Sequence, residues 1–320
     1  MSIVITGGAG FLGTLVTERV LAADPAAEVV SVDLAPSRVV DERVRSVVGD
    51  LTDPAVLADA VGPGTEGIFH LAAVLSGGSE EDFDLAMRVN VDGTRALLEA
   101  AREVTAARAV AGDPAVRLVF TSSLAVFGGP MPDVVPEHWA TQPDSTYGAL
   151  KAVGELLVAE YSRKGFLDGR VCRLPTISVR PGKPNSAASS FASGIIREPL
   201  AGIAATCPVP HETRMWLSSP DAAAANLVHA LGLSREQAGR WPVLNVPGIS
   251  VTVGEMLGAL ERVGGAEARA LVTDEPDQRV MDIVCSWPGD FEVERLVKLG
   301  FVRDETFDDV VEAYRARVSG

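Results

Sequence analysis

One short segment constrains this chain more than anything else in it. Thr6-Gly7-Gly8-Ala9-Gly10-Phe11-Leu12-Gly13 follows directly on a β-branched run at 2–6 and opens a helical stretch at 13–23. Glycines at such a junction let the chain turn tightly, let its backbone approach a pyrophosphate, and let helix and strand pack closely. The helix N-terminus then faces the phosphates. A glycine-rich match is weak alone; its place between a strand and a helix gives it force. Asp33 ends the second strand, placed to accept hydrogen bonds from an adenosine ribose. A 2′-phosphate would be repelled there, so NAD is expected as cofactor, although Arg38 leaves some NADP use open.

The first half continues this alternation. Strand-like runs at 29–33, 44–48, 67–71, 117–121 and 170–174 alternate with helical stretches, the longest at 83–104 and 145–164. Asp53-Pro54 reads as a helix start, a capping side chain followed by proline. After Pro175 the texture changes to Pro, Gly, Ser and Arg, then to amphipathic stretches at 189–197, 219–231, 252–264 and 305–317. The expected fold is α/β: a Rossmann-type doubly wound parallel sheet over 1–177, rejoined by 216–247. A smaller, interleaved substrate-capping region is expected from 178–215 and 248–320.

Charge narrows the partners. The chain of 320 residues carries a formal net charge of −15, which opposes nucleic acid and anionic membranes. No apolar run reaches the ~18 residues of a membrane span, and Met1 leads straight into a strand, so a cytoplasmic location is expected. Cys172, Cys207 and Cys285 are too scattered for a disulfide framework or a zinc site, so each is read as a small buried hydrophobe and no metal is expected. One stretch has the opposite sign: Arg163, Lys164, Arg170, Arg173, Arg180 and Lys183 share it with a single acid, Asp168.

Tyr147 and Lys151 stand four apart on the long helix and so share one face, in a chain with only three tyrosines and four lysines. A phenol of pKa ~10 is a poor base at neutral pH, but a fixed ammonium one turn away stabilises its phenolate. Ser123 follows the fifth strand, at the carboxyl edge of the sheet, where it can hold a substrate oxygen beside the Tyr147 hydroxyl. Gly49-Asp50-Leu51 follows the third strand, where the Asp50 carboxylate can meet an adenine amino group. His70-Leu71-Ala72-Ala73 ends the fourth, where Leu71, Ala72 and Ala73 leave room for the cofactor and His70 reads as a packed residue. Thr121, Pro175 and Ile177 are the remaining cofactor contacts expected at this edge.

Together the glycine turn, Asp33, His-Leu-Ala-Ala, Asn90-Val91-Asp92-Gly93-Thr94, Ser123 and Tyr147-x-x-x-Lys151 resemble the extended short-chain dehydrogenases/reductases over essentially the whole chain. The resemblance implies that Ser123, Tyr147 and Lys151 form a catalytic triad and that Asn90 is a fourth catalytic residue, or a hydrogen bonder that kinks its helix. It also implies a homodimer paired through the two long helices. Ser123-Leu124-Ala125 stands where the dehydratases carry Thr-Asp-Glu, which sets dehydration aside. Ala73 to Gly78, Phe127 to Pro130, Arg173 to Thr176, Val179 to Asn185 and Ser189 to Gly194 resemble the D-erythronate dehydrogenase group.

That resemblance implies NAD-dependent oxidation of a small sugar acid at C2. A carboxylate substrate needs a cation in a largely buried site, and Arg180 or Lys183, in the loop after the sixth strand, are the candidates. Ser76, Phe127 and Arg214 are further candidate substrate contacts, with His211 and Trp216 able to close the pocket from the other side; packing or an ion pair explains these last three equally well. Two other readings stay open: a nucleoside-diphosphate-sugar epimerase or reductase, and a redox sensor that binds NAD(H) without turnover.

Overall fold

The computed structural model describes residues 1–182 and 187–319. Strand β1 (Ser2–Thr6) buries Ile3, Val4 and Ile5 completely, as a strand covered by helices on both faces must. It leads into α1 (Phe11–Ala23), β2 (Glu28–Asp33), β3 (Val44–Val48), α2 (Pro54–Ala60) and β4 (Thr65–His70). Asp53 caps α2 by accepting from the Ala55 N–H, with Pro54 in the first turn. Short helices α3 (Ser76–Glu81) and α4 (Phe83–Met87) follow, then α5 (Thr94–Ala111), β5 (Arg117–Ser123), α6 (Thr146–Arg163) and β6 (Asp168–Leu174).

The long helix expected over 83–104 forms and runs on to Ala111, but not with a regular α-helical period throughout. Between α4 and α5 the backbone widens into a π-helical turn, Arg88–Gly93. Inside it, Asn90 accepts from the Val74 N–H at 2.8 Å and donates to the Val74 carbonyl at 3.0 Å. These two bonds tie the turn to the segment after β4, a common setting for a π-bulge near a functional site.

The second half contributes β7 (Thr176–Ile177), α7 (Phe191–Leu200), β8 (Ala205–Cys207), β9 (Arg214–Ser218), α8 (Pro220–Gly232), α9 (Arg235–Ala238), β10 (Val243–Asn245) and β11 (Ile249–Thr252). The chain finishes with α10 (Val253–Gly264), α11 (Ala266–Ala270), β12 (Val272–Asp274), α12 (Gln278–Val284), α13 (Glu294–Lys298) and α14 (Phe307–Ser319). The main sheet has the order β10-β6-β5-β4-β1-β2-β3, and every pairing is parallel. Strand order reverses between β1 and β4, and ligands of doubly wound sheets bind in the crevice at that switch point.

Residues 216–247 divide between the two halves. β10 extends the main sheet and α8 packs on α1, but β9 pairs with β7 and β11 in a separate three-stranded sheet. Leu296 and Phe301, from the stretch assigned to the cap, pack into the core beneath β1 with Leu227 and Leu244. The cap has its own core, built around Ile195, Ile196, Met256, Leu260 and Val311.

A buried ion pair joins α6 to the sheet. Glu155 accepts from Arg173 Nε at 2.8 Å, from Arg173 Nη2 at 2.7 Å and from Ser122 Oγ at 2.5 Å, and both charged side chains are at most 5% exposed. Removing one partner strands the other charge in a low-dielectric interior. Glu155→Gln should therefore lower folding stability by about 3–5 kcal/mol, read from the denaturant midpoint. An unchanged midpoint would show that water already reaches the pair.

Candidate active site

At the switch point the glycine turn behaves as its composition demands. Gly7 has φ +72°, and a Cβ there would sit 2.8 Å from the Ala72 nitrogen. A Cβ at Gly13 would lie 2.3 Å from the Gly7 carbonyl oxygen. Gly10 is the N-cap of α1 and offers no capping side chain, so the first-turn N–H groups face a cavity that Gly10, Phe11, Leu12 and Gly13 line. This cradle, free of side chains at a helix N-terminus, fits a dinucleotide pyrophosphate.

Asp33 accepts from the Ala9 N–H at 3.0 Å and from the Leu34 N–H at 2.7 Å, so the carboxylate fixes the glycine turn against β2. It stands at the sheet edge beyond the residues that line the cavity. Asp33→Ala should weaken NADH binding by about tenfold, in line with the loss of charge-assisted hydrogen bonds, and should narrow the preference for NAD over NADP. Fluorescence titration with both cofactors checks this, and an unchanged preference would remove Asp33 as the discriminating group.

Leu71, Ala73, Thr121, Pro175 and Ile177 line the cavity. Ala72, Asp50 and Leu51 do not. Ala72 instead packs against a core cluster that includes Leu51, and Asp50 accepts from the Thr52 N–H and hydroxyl, both at 2.8 Å, which hold its carboxyl below the usual range. These three expected cofactor contacts, like Asp33, lie outside the cavity lining. His70 is buried between Thr6 Oγ1 at 2.7 Å and Thr94 Oγ1 at 2.8 Å. Because Thr94 gives its own proton to the Asn90 carbonyl, it accepts from His70, whose ring is neutral; burial depresses its pKa to about 3.

Tyr147, Lys151 and Ser123 meet on the cavity wall. A Cβ at Gly148 would fall 2.0 Å from the Ala125 oxygen, so only glycine lets the first turn of α6 press against the segment after β5. Lys151 is 3% exposed and donates from Nζ to the Thr121 carbonyl at 2.7 Å, with Nζ 5.7 Å from the centre of the Tyr147 ring. Burial pushes Lys151 down to about 7, opposed by Glu155. Burial pushes Tyr147 up to about 12, opposed by the Ser123 hydroxyl and then by the charge of Arg180. Two cations therefore border the phenol: Arg180, whose charge favours the phenolate, and Lys151 one turn along the helix.

Substrate candidates divide sharply. Ser76 and Arg180 line the same cavity. Ser76 starts α3 and accepts from the Ala188 N–H at 3.0 Å, so it is not part of a loose Ser-Gly-Gly loop. Phe127 is 1% exposed in an aromatic cluster with Trp216 and Phe291 and does not line the cavity. Arg214 borders a separate outer cleft and donates to Ser250 Oγ, while Asn90 is held by Val74 and does not line the cavity. His211 pairs with Asp274 at 2.8 Å, away from the site. Lys183 lies outside the described residues.

Half of the basic stretch is taken up in ion pairs among the described residues. Arg163 pairs with Glu160, Arg170 with Asp168 and Arg173 with Glu155. Cys172 and Cys207 are buried as expected, but Cys285 is exposed. Donor atoms of Cys207, His211 and Asp274 lie within 4.8 Å of one another. Those donors already engage each other and the Val209 carbonyl.

Sequence reading missed Leu75, Ser122, Thr176, Ser189 and Trp287 on the cavity wall. Ser122 and Thr176 sit beside flagged positions at strand ends, a usable signal. Trp287 comes from a distant segment with no motif around it.

Comparison with known proteins agrees with this geometry. A D-erythronate dehydrogenase of Cupriavidus necator is 52% identical, with 98% of each chain covered. Another of Haemophilus influenzae is 43% identical over the same share of both chains. A solved Agrobacterium tumefaciens structure, described as a nucleoside-diphosphate-sugar epimerase, superimposes with a TM-score of 0.90 at 40% identity, covering 98% of this chain and 93% of that one. Residues 3–243 match the model of the NAD dependent epimerase/dehydratase family. The chain is a member of that family and an NAD-dependent oxidoreductase.

Proposed function

We propose that this protein oxidises D-erythronate at C2 to 2-dehydro-D-erythronate. The observation that carries the reading is Arg180: a guanidinium in the same cavity as Ser123 and Tyr147, with no side-chain partner among the described residues. A half-buried guanidinium, with its planar fork of donors, suits a carboxylate. The activity in the names of the C. necator and H. influenzae relatives supports the same substrate.

Ser123 holds the C2 oxygen, Tyr147 takes the hydroxyl proton, and Lys151 keeps positive charge beneath the phenol ring. NAD, when bound, supplies the acceptor for the hydride that leaves C2. Gly7, Gly10 and the α1 N-terminus hold its pyrophosphate, and Asp33 its adenosine ribose. The reading includes a cytoplasmic homodimer joined through α5 and α6, where Leu156 is 60% and Val110 92% exposed. No helix of the described residues is long and apolar enough to cross a membrane.

NADH formation across a panel of four- to six-carbon aldonic acids tests the proposal, with turnover on D-erythronate the expected result. The description of the A. tumefaciens structure favours a second reading, a sugar-nucleotide epimerase. That reading predicts tight UDP- or dTDP-sugar binding and silence across the acid panel.

A further inference from the structure

Two cavities meet at one side chain. The catalytic cavity is lined by Ser76, Ser123, Tyr147 and Arg180, and the outer cleft by Gly129, Asp133, Arg214 and Cys285. Among the described residues Trp287 borders both. Its indole packs against the core of the cap on one side and the Phe127–Trp216–Phe291 aromatic cluster on the other. The chain around it is pinned at both ends. Upstream, α12 packs on the turn Ala188–Ser190, whose Ser189 lines the catalytic cavity. Downstream, a Cβ at Gly289 would sit 2.6 Å from Arg214 Cγ, so the backbone lies hard against β9.

We infer that Trp287 is a specificity-determining wall: it closes the catalytic cavity against the outer cleft and so limits the substrate to a short sugar acid. The inference rests on the sugar-acid reading of the site and adds the feature that sets chain length. Once the carboxylate is on Arg180 and the C2 hydroxyl between Ser123 and Tyr147, further CHOH units need space beyond the cavity. The outer cleft has groups for such units, since Arg214 donates hydrogen bonds and Asp133 and Asp290 accept them. A rigid aromatic wall excludes them by overlap, the repulsive half of specificity.

The test compares kcat/KM for D-erythronate and D-gluconate in the parent, Trp287→Ala and Trp287→Leu, with NADH binding as the check on folding. The parent should favour the four-carbon acid, and the truncated variants should raise the six-carbon to four-carbon ratio by at least about tenfold. A parent that oxidises both acids equally well overturns the wall whether or not a variant folds. An unchanged ratio in either variant that binds NADH normally does the same. A parent inactive on D-erythronate strikes the substrate assignment instead; the ratio is then read on whichever long and short sugar acids the parent turns over.

Discussion

Tyr147→Phe should lose at least roughly 10³-fold in turnover while binding NADH as tightly as the parent. The hydroxyl lines the cavity beside Ser123, where it can take a proton from a substrate oxygen held by that serine, and the variant keeps the ring that packs there. The size of the loss follows from what the site does to that phenol. Burial outweighs the Ser123 hydroxyl and the charge of Arg180, so its pKa is pushed up to about 12. Productive ionisation therefore needs the positive charges of the assembled site, and the rate of oxidation in the parent should rise with pH as the phenol loses its proton. Lys151 works in the opposite sense, because its charge in the cofactor-free chain is lost as pH rises through about 7. In the Phe variant the rising limb should vanish together with the activity. Near-normal turnover, or a surviving limb, would mean that another group is the base.

Arg180→Gln should lower kcat/KM for D-erythronate by roughly 30- to 10³-fold, the equivalent of about 2–4 kcal/mol for one charged partner of a buried pair. The backbone of Arg180 is held at both ends: its N–H donates to Ser193 Oγ at 3.0 Å, and its carbonyl accepts from Arg197 Nη1 at 2.8 Å. With the main chain fixed, the guanidinium stays in the cavity, where burial and then the charge of Arg197 lower its pKa. A buried cation in such a place is suited to an anionic ligand. The neutral polyol erythritol separates two effects of the substitution. Loss of the influence on Tyr147 slows both substrates, and loss of the carboxylate contact slows only the acid. An equal fall for acid and polyol would remove Arg180 as the anchor. Lys183→Gln, three residues on, is the matched comparison.

The part of the candidate site built from the glycine turn, Ser123, Tyr147 and Lys151 was legible because each of its features is a local pattern. Tyr147 and Lys151 share a helix face by spacing, the glycine turn is contiguous, and β-branched runs mark the strands of a parallel sheet. Failures occur where a role depends on what folding brings from elsewhere. Phe127 follows Ser123 by only a few residues, yet Phe291, from the far end of the chain, helps bury it. Three arginines of the basic stretch face partners that include Asp168 beside them and Glu155 on another element. Charge counting along the chain cannot tell which cation stays free. Helix periodicity ran straight through Asn90, because a π-turn needs one side chain bonded to a segment sixteen residues upstream. Trp287 was invisible for the same reason: its function is its position between two cavities.

The most direct test of the account follows a label from substrate to cofactor. D-erythronate carrying deuterium at C2 is incubated with the enzyme and NAD, and both products are analysed by mass spectrometry. The account predicts NADH that carries the deuterium, a 2-keto acid that has lost it, and neither product with Tyr147→Phe. Unlabelled NADH would contradict oxidation at C2, and recovery of unreacted acid by an enzyme that still binds NADH would contradict the substrate.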